Sequence, residues 1–307
     1  MPVLVNLDGS LVSPQEARVS VFDRGFLHGD SVYEVIRTYG GRPFELPAHL
    51  ARLAHSAERI ALAPKWDAAR ATAEILRTLA AARGPDADDD PAAAPWNHGE
   101  RYIRLVMTRG AGEIGLDPAL AVNPLAVVIV QRLQGPPAEA YARGVKVAVA
   151  GVRRAAPEAV DPSVKSGARL PHVLALMEAR AQGAHEALLL DDRGFVTEGA
   201  SSNVFAISGG TLRTPPLAAG ILEGVTRGLV LRLARAEGVP VDERALRPED
   251  LEAADEAFIT STAREILPVT AVGERQVGDG RPGSLTHRLH RAFRLLAGGP
   301  VGLSAGR

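Results

Sequence analysis

The tripeptide Gly135-Pro136-Pro137 constrains this chain more than any other feature, because it stops helices and central strands near the middle of 307 residues. Residues 1–134 are therefore expected to form an N-terminal domain and residues 135–297 a C-terminal domain, with 298–307 as a Gly-rich disordered tail. With 46% of residues hydrophobic, each half has the material for its own core. A net charge of -1 and an aromatic content of 4% leave neither an electrostatic footprint nor a stacking platform for nucleic acid. Cysteine is absent, which removes disulfides and Cys-based zinc sites. No run of 18 apolar residues and no basic-then-apolar leader occurs, so the expectation is a cytoplasmic protein without a membrane span.

Strand-like segments are expected at the start of the chain to Leu7, at Leu11-Val12, Val19–Val21, Tyr102–Thr108 and Leu125–Gln131. Helical spacing is read from about Ser31 to Arg37, after Leu46, and over Asp67–Arg83. Gly84–Gly99 is rich in Pro, Ala and Asp without periodicity and reads as a surface loop. Downstream, strands are expected at Val145–Val149, Ala187–Asp191, Phe195–Glu198, Asn203–Ile207, Leu212–Pro215, Val239–Asp242 and Ala257–Ser261. Helices are expected at Leu170–Arg180, Gly224–Glu237, Pro248–Ala253 and Leu285–Leu296. Strands and helices mix without the regular alternation of a doubly wound sheet, so the fold class is α+β in two domains.

Gly110-Ala111-Gly112-Glu113-Ile114-Gly115 satisfies G-x-G-x-x-G and follows a strand. A dinucleotide site also needs that motif to open a helix, and Leu116-Asp117-Pro118 cannot start one. These glycines are read as shaping a loop.

Four other elements carry chemistry. Val164-Lys165-Ser166-Gly167 sets a lysine among small residues just before a helix. Alone it reads as a solvated surface lysine; buried or beside a cation, its amine drops from a pKa of about 10.4 far enough to form imines. Phe195–Phe205 holds a strand that ends on Glu198, where a carboxylate can face a pyridine nitrogen, or simply solvent. Gly224-Val225-Thr226-Arg227 opens a helix whose free N–H groups and hydroxyl suit a phosphate, or an ordinary cap. Thr260-Ser261-Thr262-Ala263 follows an apolar strand with further donors.

The order Lys165, Glu198, Thr226, Thr262 resembles the class IV aminotransferases, the family of branched-chain aminotransferase, D-amino-acid aminotransferase and aminodeoxychorismate lyase. Asp23-Arg24-Gly25-Phe26-Leu27-His28-Gly29-Asp30-Ser31-Val32-Tyr33-Glu34 is similar to the family's entry motif, and Leu46–Leu53 to its phosphate-arginine helix. The likeness runs from about Val3 to Val272. It implies the two-domain α+β scaffold of fold-type IV pyridoxal 5'-phosphate enzymes, D-amino-acid aminotransferase-like, with residues 135–297 as the cofactor-binding domain. Lys165 is then the Schiff-base lysine and general base, and Glu198 the partner of the pyridinium. Arg52, Val225, Thr226 and Thr262 hold phosphate. A homodimer is implied, acting on an amino acid and a 2-oxo acid, with no nucleic-acid or membrane partner.

Tyr102-Ile103-Arg104 and the Arg109–Pro118 stretch are similar to branched-chain aminotransferases, which puts Tyr33, Tyr102 and Arg104 in the substrate pocket. The D-amino-acid enzymes' Arg-x-His trap has Glu113-Ile114-Gly115 in its place. One departure cuts the other way. Branched-chain enzymes follow the lysine with an Asn-Tyr pair, whereas Arg169-Leu170 here looks more like an aminodeoxychorismate lyase. The expected activity is an L-branched-chain-type transaminase, the alternatives being the lyase and a D-amino-acid or (R)-amine transaminase. No metal is expected: H-E-x-x-H is missing, and His287 and His290 read as solvated.

Overall fold

The computed structural model describes residues 3–82, 92–156 and 158–298, so residues 84–91 of the expected loop and most of the expected tail lie outside the described residues. The chain forms two compact units. Unit 1 comprises Met1–Asp90, Asn97–Gln134 and the short excursion Val164–Arg169; unit 2 comprises Pro91–Trp96, Gly135–Ser163 and Leu170–Arg307.

In unit 1 the elements are β1 (Leu4–Leu7), β2 (Ser10–Val12), α1 (Arg24–His28), β3 (Ser31–Tyr39), β4 (Arg42–Pro43), α2 (Leu46–Arg59), α3 (Ala68–Ala81), β5 (Arg101–Gly112) and β6 (Ala121–Arg132). The six strands make one antiparallel sheet in the order β2-β1-β6-β5-β3-β4. Val32, Ile36, Ile103, Leu105, Met107, Val128 and Val130 alternate along three strands and pack on Leu50 and Leu53 of α2 and Ile75 and Leu79 of α3. Gly110 sits where the β5–β6 register shifts, at φ 104, and a Cβ there would lie 1.9 Å from the Asn123 carbonyl oxygen. It allows a close crossing of two strands.

Two expectations fail in this unit. Ser31–Arg37 is strand, not helix, and Val19–Val21 is in no strand. Val32, Val35 and Ile36 have helical i, i+3, i+4 spacing, but Glu34 and Arg37 interrupt the strand alternation because both are buried charges.

Unit 2 contains α4 (Ala138–Arg143), β7 (Val145–Arg153), α5 (Leu170–Ala181), β8 (Glu186–Leu190), β9 (Val196–Gly199), β10 (Asn203–Ser208), β11 (Thr211–Thr214), α6 (Val225–Ala236), β12 (Val241–Glu243), α7 (Pro248–Glu252), β13 (Glu256–Ser261), β14 (Glu265–Val272), β15 (Arg275–Gln276) and α8 (Ser284–Leu296). The mixed sheet runs β12-β11-β10-β13-β14-β7-β8-β9, with β15 paired to β14. One face carries Val147, Leu188, Val204, Ile259, Leu267 and Val269. The other is built from small residues, Ala148, Ala150 and Ala187, under Ala175 and Ala179 of α5, which brings helix and sheet close together.

His290 corrects a further expectation: it is buried rather than solvated. Its Nε2 lies 2.6 Å from Glu265, which Arg294 also grips at 2.8 Å. A carboxylate 25 residues upstream supplies the partner that makes a buried histidine acceptable. Among the described residues no helix is long and apolar enough to cross a membrane, and no group of three His, Asp or Glu side chains could hold a metal ion.

Candidate active site

Lys165 belongs to unit 1 because its segment is strapped onto β3. The Tyr33 N–H donates to the Lys165 carbonyl at 3.0 Å, and Gly167 N–H donates to the Ser31 carbonyl at 2.9 Å. A Cβ at Gly167 would meet the Ser31 hydroxyl at 2.3 Å, so a larger residue there would force that hydroxyl aside. From the helix side, the Lys165 N–H donates to Ser56 Oγ on α2 at 3.1 Å.

The antiparallel register pairs Tyr33 with Val106, Val35 with Arg104 and Arg37 with Tyr102. Opposed residues share a face, so Tyr33, Tyr102 and Arg104 point to one side of the sheet. The Arg104 guanidinium stands 4.1 Å from the Tyr33 ring centre and the Lys165 ammonium 4.8 Å from it. Burial lowers the Lys165 amine below its ordinary range; Tyr33 and Glu34 resist the shift, while Arg52 and Arg169 reinforce it. Burial opposes ionisation of the Tyr33 phenol, but the cations Lys165, Arg169 and Arg104 outweigh it and hold the phenol below its usual value. A lysine held toward its neutral form beside an acidic phenol is what imine chemistry and proton transfer require.

On the opposite face of β3, Glu34 is fully buried and points at α2. Its Oε1 accepts from Arg52 Nε at 2.6 Å and its Oε2 from Arg52 Nη2 at 2.7 Å, with His49 Nδ1 2.7 Å from the same oxygen. Burial opposes this charge, yet Arg52 and His49 bring the Glu34 carboxyl down to about 2. His49, Arg52 and Ser56 recur at helical spacing, so one face of α2 aligns a cation and fixes the lysine segment together.

Unit 2 holds the remaining expected residues. Glu198 lies on β9, an edge strand, and is nevertheless buried. Burial works against its charge, and the polar groups around it, His172, Arg154 and the Leu222 N–H, outweigh that penalty and keep the carboxyl below its ordinary range. Arg154 Nη2 is 3.3 Å from Oε1, and Leu222 N–H donates to Oε2 at 3.0 Å. The carbonyl of Leu222 accepts from Asn203 Nδ2 at 3.0 Å, so the segment entering α6 is pinned by both side chains. Val225 and Thr226 are the first helical residues of α6, behind a Gly224 N-cap that contributes no side-chain hydrogen bond. Thr262 lies in the turn from β13 to β14. The next-but-one residue, Arg264, reaches back to Glu186 at 2.9 Å and Ser201 at 2.8 Å.

Each unit presents groups with a distinct chemical fit. A neutral-leaning amine fits an aldehyde, and an ionised buried carboxylate fits a protonated ring nitrogen. Within unit 2 an uncapped helix start with Thr226 and the Thr262 turn suit a phosphate, and within unit 1 the Arg52 guanidinium suits one too. Glu34, His49, Arg154, His172 and Asn203 were not expected from sequence. For Glu34, His49 and Arg52 the signal was present as the i, i+3 pair on α2 facing a buried strand glutamate.

The Amino-transferase class IV profile matches residues 31–272. A Methanocaldococcus jannaschii protein, described provisionally as a branched-chain-amino-acid aminotransferase, is 39% identical over 290 residues, 94% of this chain and 95% of its own. The D-alanine aminotransferase of Bacillus licheniformis is 33% identical over 96% of both chains. Among solved structures, the branched-chain amino acid aminotransferase of Escherichia coli superposes with a TM-score of 0.86 at 30% identity, covering 95% of this chain and 94% of that one. Another branched-chain amino acid aminotransferase, solved with pyridoxamine 5'-phosphate, superposes with a TM-score of 0.85 at 28% identity, covering 96% of this chain and 94% of that one. The two-sheet α+β architecture is thus that of fold-type IV enzymes, and the chain belongs to the class IV aminotransferase family.

Proposed function

We propose that this class IV aminotransferase is a pyridoxal 5'-phosphate enzyme that moves amino groups between L-branched-chain-type amino acids and 2-oxo acids. The observation that carries the reading is the Lys165 amine, on a half-buried residue, lowered in pKa and set against Tyr33 beside Arg104. Bound cofactor supplies an electron sink conjugated to the substrate Cα. The chain supplies the rest. Lys165 Nζ would hold the cofactor until the substrate amine displaces it, and the freed lysine amine would then move the proton from Cα; such positioned acid–base help is typically worth about 10²–10⁴-fold. Glu198 holds a proton on the ring nitrogen, and Arg52, Val225, Thr226 and Thr262 orient the phosphate. Tyr33, Tyr102 and Arg104 line the substrate side, with Arg104 taking the distal carboxylate of an acidic partner. The branched-chain assignment draws support from the Methanocaldococcus and Escherichia relatives, and the Bacillus relative keeps a D-amino-acid activity as the second reading.

A cytoplasmic homodimer completes the proposal. Leu170, Val173, Leu174 and Met177 form an exposed apolar strip along α5, of the kind that association covers.

The test is an absorbance spectrum of the holoenzyme before and after L-leucine or D-alanine. Loss of the cofactor's visible band with L-leucine alone supports the proposal, and loss with D-alanine alone refutes the L assignment. Lys165→Ala is expected to lose both the band and turnover; transamination retained by that variant overturns the role of Lys165.

A further inference from the structure

Arg154 divides its three guanidinium nitrogens among three different acceptors. Nε faces the Gly220 carbonyl at 3.3 Å, Nη1 lies 2.8 Å from His172 Nε2, and Nη2 lies 3.3 Å from Glu198 Oε1. Arginine has donors and no acceptor, so within this pair His172 Nε2 accepts. The same nitrogen is 4.0 Å from Glu198 Oε1, so His172 meets the guanidinium closely and the carboxylate at longer range.

A planar guanidinium offered a lone carboxylate normally takes it with two parallel donors, as Arg52 takes Glu34 here at 2.6 and 2.7 Å. Glu198 receives one long arm instead. The second arm, which geometry would otherwise give it, is held by His172. A two-armed grip would neutralise the carboxylate more fully and weaken its hold on any proton it shares.

We propose that His172 is a positioning residue that holds one arm of Arg154 away from Glu198 and so leaves Glu198 able to keep the cofactor ring nitrogen protonated. The proposal rests on Glu198 being the ring-nitrogen partner. His172 stands in the first turn of α5, directly after Pro171.

The experiment reads the ring nitrogen directly, as the 15N resonance of holoenzymes reconstituted with ring-15N pyridoxal phosphate. His172→Leu fills the imidazole's space without an acceptor, and His172→Ala leaves it empty. Both are expected to move the resonance from the pyridinium toward the neutral pyridine position. His172→Gln keeps an acceptor and is expected to restore the wild-type resonance. An unmoved resonance in the Leu and Ala variants overturns the proposal, as does a shift further toward pyridinium. Glu198→Gln separates the two layers: if that variant also leaves the resonance unmoved, Glu198 is not the partner and the underlying reading falls first.

Discussion

Removing the charge of Glu34 tests how much of unit 1 rests on one carboxylate. Glu34→Gln keeps the side-chain volume but leaves Arg52, only 11% exposed, without its counter-ion. The Glu34 carboxyl sits at about 2 against an ordinary 4.5. That difference of roughly 2.5 units corresponds to about 3 kcal/mol at about 1.4 kcal/mol per unit. Breaking a buried ion pair from one side costs about 3–5 kcal/mol by a separate route, so the two agree in order. The sign follows from the depressed pKa. The contribution is complete above pH 4.5 and disappears as pH falls through about 2. Trp66 is buried in unit 1 and Trp96 belongs to unit 2, so a Trp96→Phe background leaves a fluorophore that reports unit 1 alone. Urea unfolding at pH 7 is expected to show a midpoint lowered by roughly 1–2 M in the Gln variant. The gap between wild type and variant should narrow steadily from pH 4.5 downward. A gap below about 1 kcal/mol at pH 7, or one that ignores pH, would refute the argument that this carboxylate is held by its partners.

Two further outcomes are expected. Gly224→Ala puts a Cβ 2.0 Å from Asn203 Oδ1, and Asn203 is not free to yield because it also holds the Leu222 carbonyl. About 1–3 kcal/mol of strain at the start of α6 should weaken cofactor retention roughly 10-fold or more in equilibrium dialysis, and unchanged retention would show that the helix start does not face the phosphate. In a near-ultraviolet titration of the apoenzyme, one of the four tyrosines should ionise below the ordinary range and vanish in Tyr33→Phe; four phenols titrating together would show that the cations around Tyr33 do not reach it.

The local settings of the expected residues were legible in sequence because each is short-range: a lysine before a helix, a glutamate at the end of a strand, a helix start behind glycine. What lay beyond reading was the burial of charge. Glu34 and Arg37 broke the period of β3 and turned a strand into an apparent helix, since a pattern of polar and apolar residues cannot report that a polar residue has a partner. His290 misled in the same way, its partner Glu265 being 25 positions off. Glu198 reads as an edge-strand residue facing water until Arg154, His172 and Leu222 surround it. The site's second layer is made of contacts between distant segments, and no spacing rule encodes them.

The excursion of Val164–Arg169 bears on how the protein is made. The whole six-stranded sheet of unit 1 is encoded by residue 132, yet Ser31, Val32 and Tyr33 find their last backbone partners in Lys165, Ser166 and Gly167. About 30 further residues must be synthesised first, roughly 2–6 s at ribosomal speed. During that interval the nascent sheet carries a vacant seam where the lysine will dock. A gene cut at residue 134 would express that seam permanently, which makes the unit genetically indivisible from the segment that carries Lys165.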